Sequence, residues 1–325
     1  MSLSDAHGRV ATRLRLSVTD RCNLRCVYCM PEEPVWLPSR DVLSYEEMAR
    51  LARIAVGLGV ERVRLTGGEP LLRRDLPVLI RALRAIPGLR SVNLTTNGLK
   101  LAGAVPALHE AGLRALNISL DTLDPAVFRT LSRGDGLDRV LAGIEAADRL
   151  GFRLKLNMVV MRGINDAEVP AFGRLARERG WEVRFIEFMP LDGDRAWSRD
   201  KVVPAADIRA ALETLAPLSP AQVDPRDPAR VYAFADGAGK VGIIGSVTEP
   251  FCTLCDRIRI TADGKIRTCL FATAETDLKE PMRSGATDAD LAALLVAAVR
   301  GKGPGHLINA AGFVQPERAM NAIGG

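Results

Sequence analysis

Three histidines, His7, His109 and His306, are all that this 325-residue chain holds, and they lie far apart. Zinc sites completed by an imidazole beside their cysteines are therefore not written locally anywhere in the chain. Long apolar runs are missing too. No stretch reaches the roughly eighteen apolar residues of a membrane span, and Met1–Arg15 carries charges without an apolar run of signal-peptide length. A cytoplasmic location with no membrane partner is expected. Low-complexity tracts and internal repeats are absent, apart from a strand–helix period. A large excess of one charge is absent as well: Lys plus Arg number 44 against 39 acidic residues, a net +5 with a pI near 9.0. So small an excess does not argue for nucleic acid, and none is expected as a partner; it suits a phosphorylated small molecule equally well. The 47% hydrophobic content allows a sizeable core, and the length suits one large α/β domain with an appendage, or two domains.

Cysteine is present, and its placing is informative. The six cysteines fall into two groups of three, Cys22, Cys26, Cys29 and Cys252, Cys255, Cys269. Disulfide pairs would not cluster in threes, and metal-bound thiolates suit a reducing compartment. In the first group the thiols are separated by three residues and then by two, so one short loop wraps a compact soft-metal centre, iron–sulfur or zinc. Three thiolates leave a 4Fe-4S cubane with one iron open to an exogenous molecule. A zinc knuckle would need a fourth protein ligand, and none stands nearby. In the second group, the turn Ala262-Asp263-Gly264 between two short strands would bring Cys269 back beside Cys252 and Cys255. A zinc completed by a distant histidine stays open there. Cys255, Arg257 and Arg259 share strand parity, so their side chains face one way. Two guanidiniums beside a metal centre make a receptor for phosphate or a purine edge, although alternating arginines also suit a solvated strand face.

From Arg13 to about Leu215 strand and helix alternate. Strands are expected near 14–18, 62–66, 91–95, 114–120, 154–161 and 183–188. Among the helices, one opens on the capping box Ser44-Tyr45-Glu46-Glu47 and another on Asp124-Pro125; two more are expected over 75–85 and 100–111. This order predicts a parallel sheet with right-handed crossovers. About six such units suggest an incomplete (β/α) barrel rather than an open Rossmann sheet, its functional residues converging on one mouth at the C-terminal strand ends. The proline-bearing stretch 217–228 marks a boundary between a core, residues 1–216, and a C-terminal region, residues 217–325. The latter should hold a hairpin around Asp236-Gly237, a helix over 287–300 and an irregular tail.

The spacing Cys22-x-x-x-Cys26-x-x-Cys29, with Tyr28 before the third cysteine, resembles the radical S-adenosylmethionine (SAM) signature. The stretch Cys252-x-x-Cys255-x-Arg257-x-Arg259-x-Thr261-x-x-Gly264-x-x-x-x-Cys269 adds specificity. With Arg64-Leu65-Thr66-Gly67-Gly68-Glu69-Pro70, Thr95-Thr96-Asn97-Gly98, Asn117-Ile118-Ser119-Leu120-Asp121, Phe188-Met189-Pro190 and the final Gly324-Gly325, it is similar to the GTP 3′,8-cyclase family of molybdenum cofactor biosynthesis over nearly the whole chain. The resemblance implies two 4Fe-4S clusters, SAM as cofactor and GTP as substrate. Cys22, Cys26 and Cys29 would hold the cluster that chelates SAM, with Tyr28, Gly68, Ser119 and Met189 lining the SAM site. Cys252, Cys255 and Cys269 would hold a second cluster whose open iron contacts guanine. Arg15, Arg64, Thr95, Lys155, Arg257 and Arg259 would bind GTP, mainly through its triphosphate, and Gly324 and Gly325 would reach into the active-site mouth.

The reaction so implied is intramolecular. Reductive cleavage of SAM gives a 5′-deoxyadenosyl radical that removes the hydrogen at ribose C3′; the carbon radical adds to guanine C8, and reduction and protonation give 3′,8-cyclo-7,8-dihydro-GTP. The resemblance further implies an electron donor such as flavodoxin, a following enzyme, cyclic pyranopterin monophosphate synthase, and a homodimer. Two other readings compete. One is a peptide-modifying radical SAM enzyme, a class usually richer in C-terminal cysteines. The other is a zinc-stabilised nucleotide- or RNA-binding module without catalysis.

Overall fold

The computed structural model describes residues 2–324. The chain builds, in order, β1 (Arg13–Ser17), α1 (Tyr45–Gly57), β2 (Arg62–Thr66), α2 (Leu76–Arg84), β3 (Ser91–Thr96), α3 (Leu101–Glu110), β4 (Ala115–Ser119), α4 (Pro125–Ser132), α5 (Leu137–Arg149), β5 (Arg153–Val160), α6 (Val169–Arg179), β6 (Glu182–Glu187) and α7 (Ala205–Glu213). Helix starts follow local chemistry. The Ser44 hydroxyl accepts from the Glu47 N–H while the Glu47 carboxylate accepts from the Ser44 N–H, and the Asp124 carboxylate accepts from the Ala126 and Val127 N–H groups, which satisfies amide donors otherwise left without partners.

Strands β1 to β6 lie side by side and parallel, in chain order. The rest of the chain extends both edges. On one side β9 (Lys240–Ile244) runs parallel to β6 and carries the antiparallel β8 (Arg230–Phe234) and β7 (Leu218–Pro220). On the other, β10 (Arg257–Ile260) runs parallel to β1 and carries the antiparallel β11 (Lys265–Arg267) and β12 (Thr276–Asp277). The result is one twelve-stranded sheet in which no pairing joins β7 to β12 among the described residues: a barrel that does not close. Helices α8 (Lys279–Arg283) and α9 (Asp288–Arg300) follow, and the tail, expected to be irregular, ends in one helical turn, α10 (Met320–Ile323).

The two faces of the sheet separate by residue type. Leu14, Leu16, Val63, Leu65, Val92, Leu94, Leu154 and Leu156 are buried against the helices, each contributing about 1.5–3 kcal/mol of apolar transfer. The residues between them, from Arg13 and Arg15 on β1 to Arg153 and Lys155 on β5, line the barrel interior. A parallel barrel usually fills its interior with branched apolar side chains. Here the alternation leaves a cavity of about 1150 Å³ instead, with arginine, lysine, asparagine and threonine side chains among its lining.

Candidate active site

Both thiol sets open onto this single cavity, at opposite ends of its strands. The first set follows the C-terminal end of β1. Cys255 stands two residues before β10, whose first residue Arg257 lies level with Arg13, the first residue of β1. The single mouth expected at the C-terminal strand ends is therefore corrected: β10 is added parallel to β1, so the loop that precedes it falls at the N-terminal ends.

The loop of the first set is tied down by backbone bonds. Arg25 and Val27 donate to Ser132 O (2.8 Å) and Leu131 O (2.9 Å), and Cys29 donates to Cys26 O (2.9 Å). The Leu24 N–H and the Asn97 amide point at the Cys22 sulfur, at 3.5 and 3.6 Å. Burial pushes the Cys22, Cys26 and Cys29 thiols up, and Glu69 adds to this at Cys22, Asp121 at Cys26 and Cys29. These carboxyls are themselves pushed up by burial, to about 6 each. The Tyr28 hydroxyl donates to Asp121 at 2.6 Å, while Glu69 accepts from the Leu71 and Asn97 N–H groups and the Thr96 hydroxyl. Gly68, Ser119 and Met189 line the cavity beside them. The close approach that requires glycine at 68 is to the chain itself: a Cβ there would lie 2.3 Å from Arg21 O.

Two rows of arginine cross the interior toward the other set. Register places Arg257, Arg13 and Arg62 level on three neighbouring strands, and Arg259, Arg15 and Arg64 level one layer above. With strands about 4.8 Å apart, six arginines are rooted in a patch three strands wide and two layers deep. Burial holds Arg15 well below its usual range, with Arg259, Arg64 and Arg257 adding repulsion. Burial likewise lowers Arg64 to about 10 and Arg259 to about 9. Such stacked like charges favour a bound anion. Three cations in the wall, one of them from these rows, already have partners: Arg13 pairs with Asp224 (2.7 Å) and Asp256 (3.2 Å), Lys155 with Glu182 (2.6 Å), and Arg184 with Asp227 (3.0 Å). Thr95 faces the same space.

In the second set, burial raises the Cys252 thiol, partly offset by the His306 N–H. At Cys255 burial also acts upward, but Arg257 and Lys302 outweigh it and the thiol sits below its usual range. His306, the candidate for completing a zinc site, lines the cavity too, but its Nδ1 accepts from the Ile308 N–H at 3.2 Å. All six cysteines are free thiols. Among the described residues no group of three or more His, Cys, Asp or Glu side chains is arranged to hold a single metal ion. Two sets of three soft donors, each with N–H groups aimed at a sulfur and, among the described residues, neither with a fourth protein ligand in place, fit iron–sulfur cubanes.

The tail enters from the first set's end. Met320 donates to Cys29 O (3.0 Å) and Leu191 O (3.2 Å), and the Gly324 carbonyl accepts from Arg259 at 2.5 Å. Gly324 is buried with φ +83°, where a Cβ would meet Thr66 Oγ1 at 2.8 Å and Ser17 Cβ at 3.0 Å; only glycine fits. Gly325 lies outside the described residues. Sequence reasoning missed Arg13, Arg62, Arg184, Asp121 and Lys302 as cavity or loop-holding groups. The parity of Arg13 with Arg15, and of Arg62 with Arg64, would have found two of them.

The geometry is that of a radical SAM core: residues 16–176 match the radical SAM superfamily model and residues 181–308 the model for molybdenum cofactor synthesis C. The chain is 48% identical to the GTP 3′,8-cyclase of Streptomyces coelicolor, over 99% of this chain and 96% of that one, and 45% identical to that of Moorella thermoacetica, over 99% and 100%. It belongs to the GTP 3′,8-cyclase family. Streptococcus suis SuiB bound to S-adenosylmethionine shares the fold, with a TM-score of 0.60 at 18% identity; the match covers 83% of this chain and 64% of that one. Among the described residues no helix is long and apolar enough to cross a membrane.

Proposed function

We propose that this chain is a lyase that cyclises GTP to (8S)-3′,8-cyclo-7,8-dihydro-GTP in molybdenum cofactor biosynthesis, using SAM and two 4Fe-4S clusters. The observation that carries the reading is the polarity of the cavity. Its first-triad end is flanked by the carboxyls of the buried Glu69 and the half-buried Asp121, and its middle and second-triad end by six arginines in register. One end suits a sulfonium and an ammonium group, the other a triphosphate.

Cys22, Cys26 and Cys29 would hold one cluster, and Cys252, Cys255 and Cys269 the other. When bound, the first cluster with SAM supplies a carbon radical able to remove the hydrogen at ribose C3′. Tyr28, Gly68, Ser119 and Met189 line the SAM side. Arg15, Arg64, Arg257 and Arg259, with Thr95 and Lys155, hold the GTP side, and Arg13, Arg62 and Arg184 add to it. Fixing the triphosphate at the arginine rows directs the ribose toward the first set, which limits the motion the reacting carbons must lose. The Gly324 carbonyl steadies Arg259, and the buried tail keeps water from that end. Residues 1–216 supply the SAM half and residues 217–325 the guanine half. A donor such as flavodoxin would provide electrons, cyclic pyranopterin monophosphate synthase would take the product, and the chain would work as a homodimer.

The test is an oxygen-free assay with GTP, SAM and dithionite, following 5′-deoxyadenosine and the cyclised nucleotide together. Equal release of the two is expected. Deoxyadenosine without any nucleotide product would overturn the assignment of GTP. Zinc in place of iron and sulfide would favour the non-catalytic module instead.

A further inference from the structure

The second thiol set has a wall that nothing above assigns. Residues 302–306 run along it: Gly305 packs so closely that a Cβ there would lie 3.1 Å from Cys252 Cβ and 3.3 Å from its sulfur. Arg9, from the N-terminal turn, clamps this wall to the cysteine loop by donating to Cys252 O (2.9 Å), Pro304 O (2.9 Å) and Gly303 O (2.6 Å), its own charge met by Asp5 at 2.5 Å. Lys302 is 4% exposed. Its ammonium donates to Cys255 O (2.9 Å), Arg257 O (3.1 Å) and the Cys255 sulfur (3.5 Å). None of these acceptors is a carboxylate. A buried ammonium requires counter-charge, and the only acceptor of the three that becomes anionic on cluster binding is the thiolate.

We propose that Lys302 is a positioning residue of the second cluster, holding Cys255 by a charge-assisted N–H···S bond and biasing that cluster, and not the first, toward its reduced state. The inference rests on the reading of Cys252, Cys255 and Cys269 as cluster ligands. Net charge and hydrogen bonds to the sulfurs set the potential of an iron–sulfur centre, and groups outside the ligand shell tune it. A fixed cation stabilises the added electron. Among the described residues no lysine meets the first set: its sulfurs receive neutral donors, the Leu24 and Asn321 N–H groups and the Asn97 amide. The Arg25 guanidinium beside Cys22 donates to the Cys22 and Leu24 carbonyls and not to a sulfur.

The experiment is a potentiometric titration of the full-length, anaerobically reconstituted protein, with the two reduced clusters resolved by electron paramagnetic resonance. Wild type is compared with Lys302→Met, Lys302→Gln and Lys302→Arg. The expected result is a lower midpoint for the second cluster in both neutral variants, by at least a tenfold change in its one-electron equilibrium, or about 59 mV. The first cluster's midpoint should not move, and Lys302→Arg should stay near wild type. Unchanged midpoints in a neutral variant that keeps its iron overturn the proposal, as does an equal shift of both clusters. Should both neutral variants lose the second cluster's iron, its return with a wild-type midpoint in Lys302→Arg supports the role of the charge, and continued loss in Lys302→Arg overturns it. Wild-type protein holding a single cluster would instead refute the ligand assignment itself.

Discussion

At Cys22, Cys26 and Cys29 the neighbouring charged groups are the carboxyls Glu69 and Asp121, with Arg25 a weaker opposing charge at Cys22, whereas at Cys252 and Cys255 they are Arg257 and Lys302. The two sets offer the same three sulfurs. They differ in the loops that carry them, a C-terminal strand end against an N-terminal one, and in the sign of the charge beside them. The lesson is that donor chemistry decides what kind of centre is held, while the surroundings decide what that centre faces. A cationic cofactor is favoured at one end of the cavity and a polyanion at the other, with the barrel interior fixing the distance between them.

Removing the sulfurs tests this comparison most severely. Replacing Cys22, Cys26 and Cys29 together by Ala should halve the iron and abolish SAM cleavage. Replacing Cys252, Cys255 and Cys269 should also halve the iron, yet leave uncoupled SAM cleavage while cyclisation of GTP is lost. Iron and sulfide analysis with chromatography of 5′-deoxyadenosine and nucleotide distinguishes the two. Identical phenotypes would mean that the ends are not specialised.

Arg259 comes next. A charge-assisted bond is worth about 1.5–3 kcal/mol, so Arg259→Ala should lower cyclisation about 10–150-fold with both clusters assembled. Arg13→Ala should do less, because Asp224 and Asp256 already neutralise that guanidinium. Equal losses would show that the ion pairs open for substrate. A smaller effect, about tenfold, is expected from deleting Gly324 and Gly325, which takes one carbonyl from Arg259. Folding and iron content should hold while deoxyadenosine release outruns product. A truncated protein cyclising GTP at the full-length rate would leave the tail without a role.

Much of this was legible in the sequence because the relevant signals are local. Strand alternation, the Ser44 and Asp124 caps and the cysteine spacings each act over a few residues. Arg-Leu-Arg-Leu on a parallel strand also marks one face as open to a polar interior, since a strand covered on both faces by apolar partners would read as a continuous apolar run. What escaped is what depends on long-range register. That Arg257 lies level with Arg13 follows from β10 joining β1 across more than half the chain, and this alone places the second set at the far end. Lys302 stands outside any motif, 47 residues from Cys255. The ion pairs on Lys155 and Arg184 come from Glu182 and Asp227, whose roles no pattern announces.

The smallest expected effect concerns the acidic end alone. Glu69 is buried, and burial raises its carboxyl from 4.5 to about 6. The folded protein thus binds this proton more tightly than the unfolded chain does. Its contribution to stability is full below about pH 4.5 and is lost as pH rises through about 6, and at 1.36 kcal/mol per unit it amounts to about 2 kcal/mol. At Asp263, in the turn that follows β10, the sign reverses. Burial presses upward on Asp263 as well, but its bidentate bond with Arg318 and its bond with the Thr261 hydroxyl outweigh it, and its carboxyl is held below the usual range. That contribution is present above the ordinary aspartate value and is lost as pH falls. Urea unfolding of anaerobic protein at about pH 5 and about pH 7 should therefore show Glu69→Gln losing less stability than wild type as pH rises, whatever it loses at both values from the Asn97 N–H that Gln no longer satisfies. Asp263→Asn should leave that particular slope intact. If Glu69→Gln has the wild-type pH dependence, the buried carboxyl is ionised throughout and repels the Cys22 thiolate at both pH values.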